Sequence, residues 1–251
     1  MFLARKWNSI SEMRVVNVLR EGLLPEKKVS FSSYGEDLLI ESIVSRYKFK
    51  TGQDLTLSYL DIGAWRPKIG SNTYKLYKQG SRGTVVEPNP SLQFLWRVFR
   101  PKDQYLKVAC SNKNTVDLYM FGKTAPSNTI NMAFSRKIEF NQNRKVRYVL
   151  KTEAKPLMEI VKVHQARFVG DFLLDLDIEG SDLEILLNYD FTSNPRPVII
   201  LIEDIQASVN YDIPSKIHTY LTKSEYLLVG KSVVTSIYID LNHSISTIGF
   251  Y

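Results

Sequence analysis

Acidic residues recur where short apolar runs stop. Asp61 lies at the end of the run 57–62, and Glu87 follows the β-branched run 83–86. Asp175, Asp177 and Glu179 end or follow 172–177, and Glu203 and Asp204 end the almost continuous apolar run 197–203. A carboxylate at a strand tip can grip the two ribose hydroxyls of a nucleoside, take a proton from a hydroxyl, or offer a hard oxygen to a divalent cation. Strand alternation turns Asp175 and Asp177 to one face, with Asp177 nearer the strand end. Asp177 and Glu203, ending neighbouring central strands, are therefore expected to face one cleft as the catalytic pair. With Glu179, Asp204 and His243 they are also the candidate ligands of a divalent ion: iron, manganese or magnesium. A plainer role for Asp177 and Glu179 is to cap the helix that follows them.

The turn after the first acidic run restricts what it can hold. Gly63 stands alone, with Ala64, Trp65, Arg66 and Pro67 filling positions where a dinucleotide site carries further glycines. Such a turn approaches a ligand once but does not cradle phosphates. S-adenosylmethionine has an adenosine, a sulfonium and an amino-acid tail but no phosphate, so this turn suits it. Gly63, Ala64, Asn72, Thr73, Glu87, Pro88, Asn89 and Cys110, with Glu36 and Asp61, are the candidate cofactor contacts. Ser71 or Asn72 can cap a helix over 74–79 that stops at Gly80, and Asn89 with Pro90 opens another that ends at Arg100-Pro101.

The run Asp61-Ile62-Gly63-Ala64, Pro67, Ser71-Asn72-Thr73, Leu76-Tyr77, Gly80 and Val86-Glu87-Pro88-Asn89-Pro90 resembles the FkbM-type methyltransferases. Two further blocks agree in the same order. Ser32-Ser33-Tyr34-Gly35-Glu36-Asp37 resembles a Ser-Gln-x-Gly-Glu-Asp motif, with Ser33 in place of its Gln, and Asp175-Leu176-Asp177-Ile178-Glu179-Gly180 with Glu184 and Leu186 resembles a second acidic block. The resemblance runs from about residue 31 to the C-terminus. It implies O-methylation of a sugar hydroxyl, on a phosphorylated or nucleotide-linked sugar of surface-polysaccharide or natural-product biosynthesis. It also makes room for a metal that would lower the hydroxyl's pKa.

The elements that must position these residues alternate helix and strand, which predicts a Rossmann-like, doubly wound, mostly parallel seven-stranded α/β sheet with helices on both faces. Strands are expected at 57–62, 83–86, 105–110, 116–121, 172–177, 197–203, 226–231 and 236–241, and the stretch 122–147 reads as an irregular lid or substrate wall. Capping boxes are read at Ser33–Glu36 and Ser181–Glu184. Residues 1–30 form a separate basic arm with a helix at 10–24; it can pack on the core, pair with a second subunit in a homo-oligomer, or lie on a membrane surface. The catalytic domain is 31–251.

The chain has 251 residues, a net charge of +7 and a single cysteine, Cys110. One cysteine excludes a disulfide framework and any multi-cysteine metal site. No apolar run approaches a membrane span and no signal peptide is read, so the expectation is cytoplasmic. The positive charge suggests an anionic partner. Arg136, Lys137, Arg144, Lys145 and Arg147 can hold the phosphates of a substrate. The rival is an RNA methyltransferase or RNA-binding protein on the same fold, though no base-amine motif or RNA-binding module accompanies the charge, so no nucleic-acid partner is expected. Of the histidines, His164 is expected to be structural, His218 to sit mid-helix as a solvated or packed side chain, and His243 to reach the cleft as ligand or base.

Overall fold

The computed structural model describes residues 28–204 and 214–249. The helix expected at 10–24 lies outside the described residues. In chain order the elements begin with α1 (Glu36–Thr51), β1 (Ser58–Ile62), α2 (Tyr74–Lys78), β2 (Gly83–Val86), the 3-10 helix Pro90–Leu92, α3 (Gln93–Phe99) and β3 (Gln104–Leu106). Next come β4 (Ala109–Cys110), β5 (Thr115–Met120), α4 (Met132–Gln142), β6 (Tyr148–Lys155), α5 (Leu157–Arg167), β7 (Phe172–Leu176) and α6 (Asp182–Leu187). The last are β8 (Ile199–Glu203), α7 (Lys216–Lys223), β9 (Tyr226–Lys231), β10 (Thr235–Asp240) and the 3-10 helix Ser244–Ile248.

Seven strands form the main sheet in the order β3-β2-β1-β7-β8-β10-β9. All neighbours are parallel except β10, which is antiparallel to both β8 and β9. Strand order reverses between β1 and β7, and in an open α/β sheet the crevice at that point, at the carboxyl ends of the strands, is where ligands bind. Alternate strand residues feed two cores. Leu60, Leu174, Leu176 and Ile200 pack with Ile160 and Val161 of α5 on one face. Tyr59, Leu173, Ile199 and Leu201 pack with Ile40 and Ile43 of α1 and Trp96 of α3 on the other. Burial on both faces is why these strands read as unbroken apolar runs.

A second sheet, β4-β6-β5, departs from expectation. The run 105–110 is two strands, β3 in the main sheet and β4 beside β6. β6 pairs antiparallel with β5 over Tyr148–Met120 to Glu153–Thr115; its consecutive polar residues Lys151, Thr152 and Glu153 break any alternating pattern and hide it in the sequence. The stretch expected to be irregular contains α4, capped by Asn131, whose Oδ1 accepts from Phe134 N at 3.0 Å.

Both expected capping boxes are replaced by other local arrangements. Gly35, with φ of 87°, occupies the N-cap of α1, and Asp37 gathers Ser30 Oγ, Phe31 N and Ser32 Oγ instead. At α6, Ser181 makes no side-chain cap; the Asp182 carboxylate accepts from Ile178 N and Gly180 N and closes the loop in front of the helix. Asn89 does cap as expected, accepting from Ser91 N at 3.0 Å. His164 is structural: fully buried, it bridges Ser58 Oγ at 3.1 Å and Thr84 Oγ1 at 3.0 Å, and burial lowers its pKa to about 4. His218 lies in α7 with Nδ1 3.3 Å from the Tyr238 hydroxyl.

Candidate active site

A cavity of about 430 Å³ opens at the carboxyl ends of β1, β2, β7 and β8. One half is built by the β1 turn and the tip of β2. Gly63 takes φ of +82°, and a Cβ there would fall on the Asp177 carbonyl oxygen, so only glycine lets β1 and the β7 loop meet. Trp65 is also in the left-handed region, with φ of +40°. Glu87 is buried and locks this turn: its Oε2 accepts from Trp65 N at 3.0 Å and its Oε1 from Asn89 N at 2.7 Å. Burial outweighs those two bonds and pushes its carboxyl up to about 7. Asn89 in turn donates from Nδ2 to Lys123 O at 2.8 Å, and Trp65 Nε1 donates to Thr124 O at 3.1 Å, which ties the 122–129 loop over the cavity.

The cavity floor is acidic. Asp61, Asp175, Asp177, Glu179, Glu203, Glu36 and Glu87 line it, and no lysine or arginine does among the described residues. Asp61 is held by the Thr73 hydroxyl, and Asp175 accepts from Asn72 Nδ2 at 3.2 Å. Glu36 accepts from Ser232 Oγ at 2.6 Å, which joins α1 to the loop before β10. Asp177 is open to the cavity, yet its carboxyl is pushed well above the usual range, first by desolvation within the walls, then by Glu203 and Glu179. Glu203 rises to about 7 and Glu179 to about 8, again with desolvation leading. Glu179 sits at φ of +56°, with its carbonyl accepting from Thr129 Oγ1 at 3.0 Å, so the wall before α4 holds this loop in place.

The structure therefore gathers most of the residues expected from the sequence. Gly63, Ala64, Asn72, Pro88, Asn89 and Cys110 line the cavity; Thr73 stands behind it, reaching Asp61. Cys110 is buried and desolvation raises its thiol to about 12, so it packs and does not react. Two of the expected ligands are elsewhere. Asp204 is buried, accepts from the Ser215 hydroxyl and is not among the lining residues. His243 follows β10, and because β10 runs antiparallel its end lies at the opposite edge of the sheet. There His243 Nε2 is 3.2 Å from Asp171, which precedes β7, and its Nδ1 accepts from Ile245 N at 3.1 Å. The start of β10 is what reaches the cleft: Thr235 lines it, opposite Glu203 in register. Among the described residues no group of three or more His, Cys, Asp or Glu is disposed to hold a metal ion. Among the described residues the side chains therefore do not fit a resident divalent cation.

Sequence reasoning missed the contributions of Ser33, Tyr34, Val108, Thr129, Ile130 and Thr235 to the lining. Ser33 and Tyr34 belong to the motif read at 32–37, which marked Glu36 but not them; the others come from loops or connections and from a reversed strand, where residue type alone does not show which side chains reach the cleft.

A parallel sheet reversing at β1 and β7, one glycine turn without a phosphate cradle, and a buried glutamate at the tip of β2 define a doubly wound α/β fold with a cleft at its switch point. The family model for the Methyltransferase FkbM domain matches residues 61–227, and the chain belongs to that family. Neither the curated proteins nor the solved structures gave a significant match. A methyltransferase family implies S-adenosylmethionine as the donor, and the Gly63 turn, Asn72 and Glu87 are the residues that would hold it. Among the described residues no helix is long and apolar enough to cross a membrane.

Proposed function

We propose that this protein methylates a hydroxyl of a sugar that carries a phosphate or a nucleotide, as used in surface-polysaccharide or natural-product biosynthesis. The observation that carries the reading is the position of Asp177. Its backbone touches the Gly63 turn, its carboxyl opens into the cavity, and Glu203 stands beside it at the end of the next strand. When bound, S-adenosylmethionine supplies an electrophilic methyl carbon and a neutral thioether leaving group. Asp177 takes the proton of the acceptor hydroxyl as its oxygen becomes the nucleophile. Glu203 and Glu179 accept hydrogen bonds from neighbouring hydroxyls and orient the ring.

An acid-lined floor with no lysine or arginine among the described residues favours an uncharged polyol there over a phosphate. Arg136, Lys137, Lys145 and Arg147 are exposed on α4 and the segment after it, and Arg144 lies 5.6 Å from the Phe121 ring. Phosphates of the acceptor would remain on that outer wall. The test is transfer of a labelled methyl group to a panel of sugars, sugar phosphates and nucleotide sugars, with product linkage read by NMR. Transfer to RNA, or tight salt-dependent RNA binding with no sugar turned over, would overturn the reading.

A further inference from the structure

Arg100 is fully buried at the end of α3 and does not line the cavity. Its Nε pairs with Asp103 at 2.6 Å, both side chains being almost completely covered. Its Nη1 donates to Ser71 Oγ at 3.2 Å and to Thr73 Oγ1 at 3.0 Å. The rings of Trp96, Tyr59 and Tyr77 surround the guanidinium at 4.7, 5.0 and 5.3 Å, and Nη2 has no hydrogen-bond partner. A buried charge with one donor unmatched is costly, so its position calls for an explanation in what it holds. Ser71 accepts from Tyr74 N at 3.1 Å and so starts α2, while Thr73 donates onward to Asp61. Between these two residues Asn72 lines the cavity and donates to Asp175.

We propose that Arg100 is the positioning residue of the cofactor pocket: acting through Ser71 and Thr73, it fixes Asn72 and places a positive charge behind Asp61, which faces a cationic cofactor. This rests on the reading that the cleft binds S-adenosylmethionine. Asp61 is faced by Asp175 from β7, by Glu87 from β2, and by Arg100 and Asp103 from the end of α3 and the turn after it; Glu36 of α1 acts on it through Asp175. Of these only Arg100 is positive, so without it two neighbouring carboxyls in a desolvated floor would retain a proton to higher pH.

The experiment is calorimetric titration of the full-length protein with S-adenosylmethionine between pH 6 and 9, on wild type, Arg100→Met, Arg100→Lys and Thr73→Val. Thr73→Val cuts the link to Asp61 and leaves the Arg100–Asp103 pair intact, so it serves if Arg100→Met does not fold. Loss of a charge-assisted bond predicts affinity at least about tenfold weaker at pH 7 in Arg100→Met and Thr73→Val. It also predicts an acid limb of the binding curve displaced to higher pH, which a defect of packing alone would not produce. Arg100→Lys retains the charge and should recover the pH profile more fully than the affinity, because an ammonium lacks the planar fork. Wild-type affinity and an unmoved acid limb in folded Thr73→Val would overturn the proposal. Failure of the wild type itself to bind S-adenosylmethionine would instead overturn the cofactor reading.

Discussion

Asp61 and Asp175 stand opposite each other in register, on adjacent central strands and on the same face of the sheet, both buried. Each has a different companion: Asp61 has Thr73 with Arg100 behind it, and Asp175 has only the Asn72 amide. Two neighbouring buried carboxyls rarely ionise together. Burial raises both, but Arg100 and Thr73 pull Asp61 back down, whereas Asp175 is pushed well above its usual range by burial and then by Asp61, so Asp175 is the partner that takes the shared proton.

The pair should respond asymmetrically to amide substitution. Asp175→Asn replaces a neutral acid by a neutral isostere and keeps the oxygen that accepts from Asn72, so thermal unfolding at pH 7.5 should move little or upward. Asp61→Asn removes the charge opposite a buried guanidinium and should destabilise by about 3 kcal/mol. Equal destabilisation by the two variants would refute the assignment.

Asp177→Asn should lower kcat at least about a hundredfold with little change in donor affinity, because it removes the base and not the Gly63 turn. Glu203→Gln should act mainly on the acceptor's KM. With the base acting without a metal, turnover should survive exhaustive chelation; activity lost to chelator and restored by manganese, iron or magnesium would show that a cation takes part.

Gly63→Ala tests the contact between the two halves of the cleft. The added methyl would meet the Asp177 carbonyl at a backbone angle that alanine adopts only with strain. The expected loss is about 2–4 kcal/mol in denaturant unfolding, together with weakened donor binding. A variant as stable as wild type would mean that the β7 loop can retreat without cost.

Stability of the unliganded protein should fall as pH rises from about 5 to 8. Glu87, Glu203 and Glu179 have folded values of about 7, 7 and 8, above their unfolded values, so between pH 5 and 8 the folded state holds protons that the unfolded chain has released. Stability then falls as pH rises through that window. His164, at about 4, works in the other direction: the unfolded chain gains a proton below pH 6.5 that the buried ring refuses. A melting temperature that climbs steadily from pH 6 to 9 would contradict these shifts.

What the sequence determined by itself was local. The apolar runs, the acid at each strand tip, the lone glycine of the first turn and the Asn89-Pro90 helix start are set by residue type and short-range geometry, and they are found where the pattern places them. They were enough for the α/β class and the family. Tertiary structure decided which of those acids meet. Asp177 and Glu203 share the cavity because β7 and β8 are parallel neighbours, whereas His243 is carried to the far edge because β10 enters the sheet reversed. The role of Glu87 as a lock on two backbone amides, the pairing of β6 with β5, and the reach of Arg100 to Thr73 across 27 positions all depend on long-range packing. Strand direction and buried charge are properties of the assembled sheet, and no short window of residues contains them.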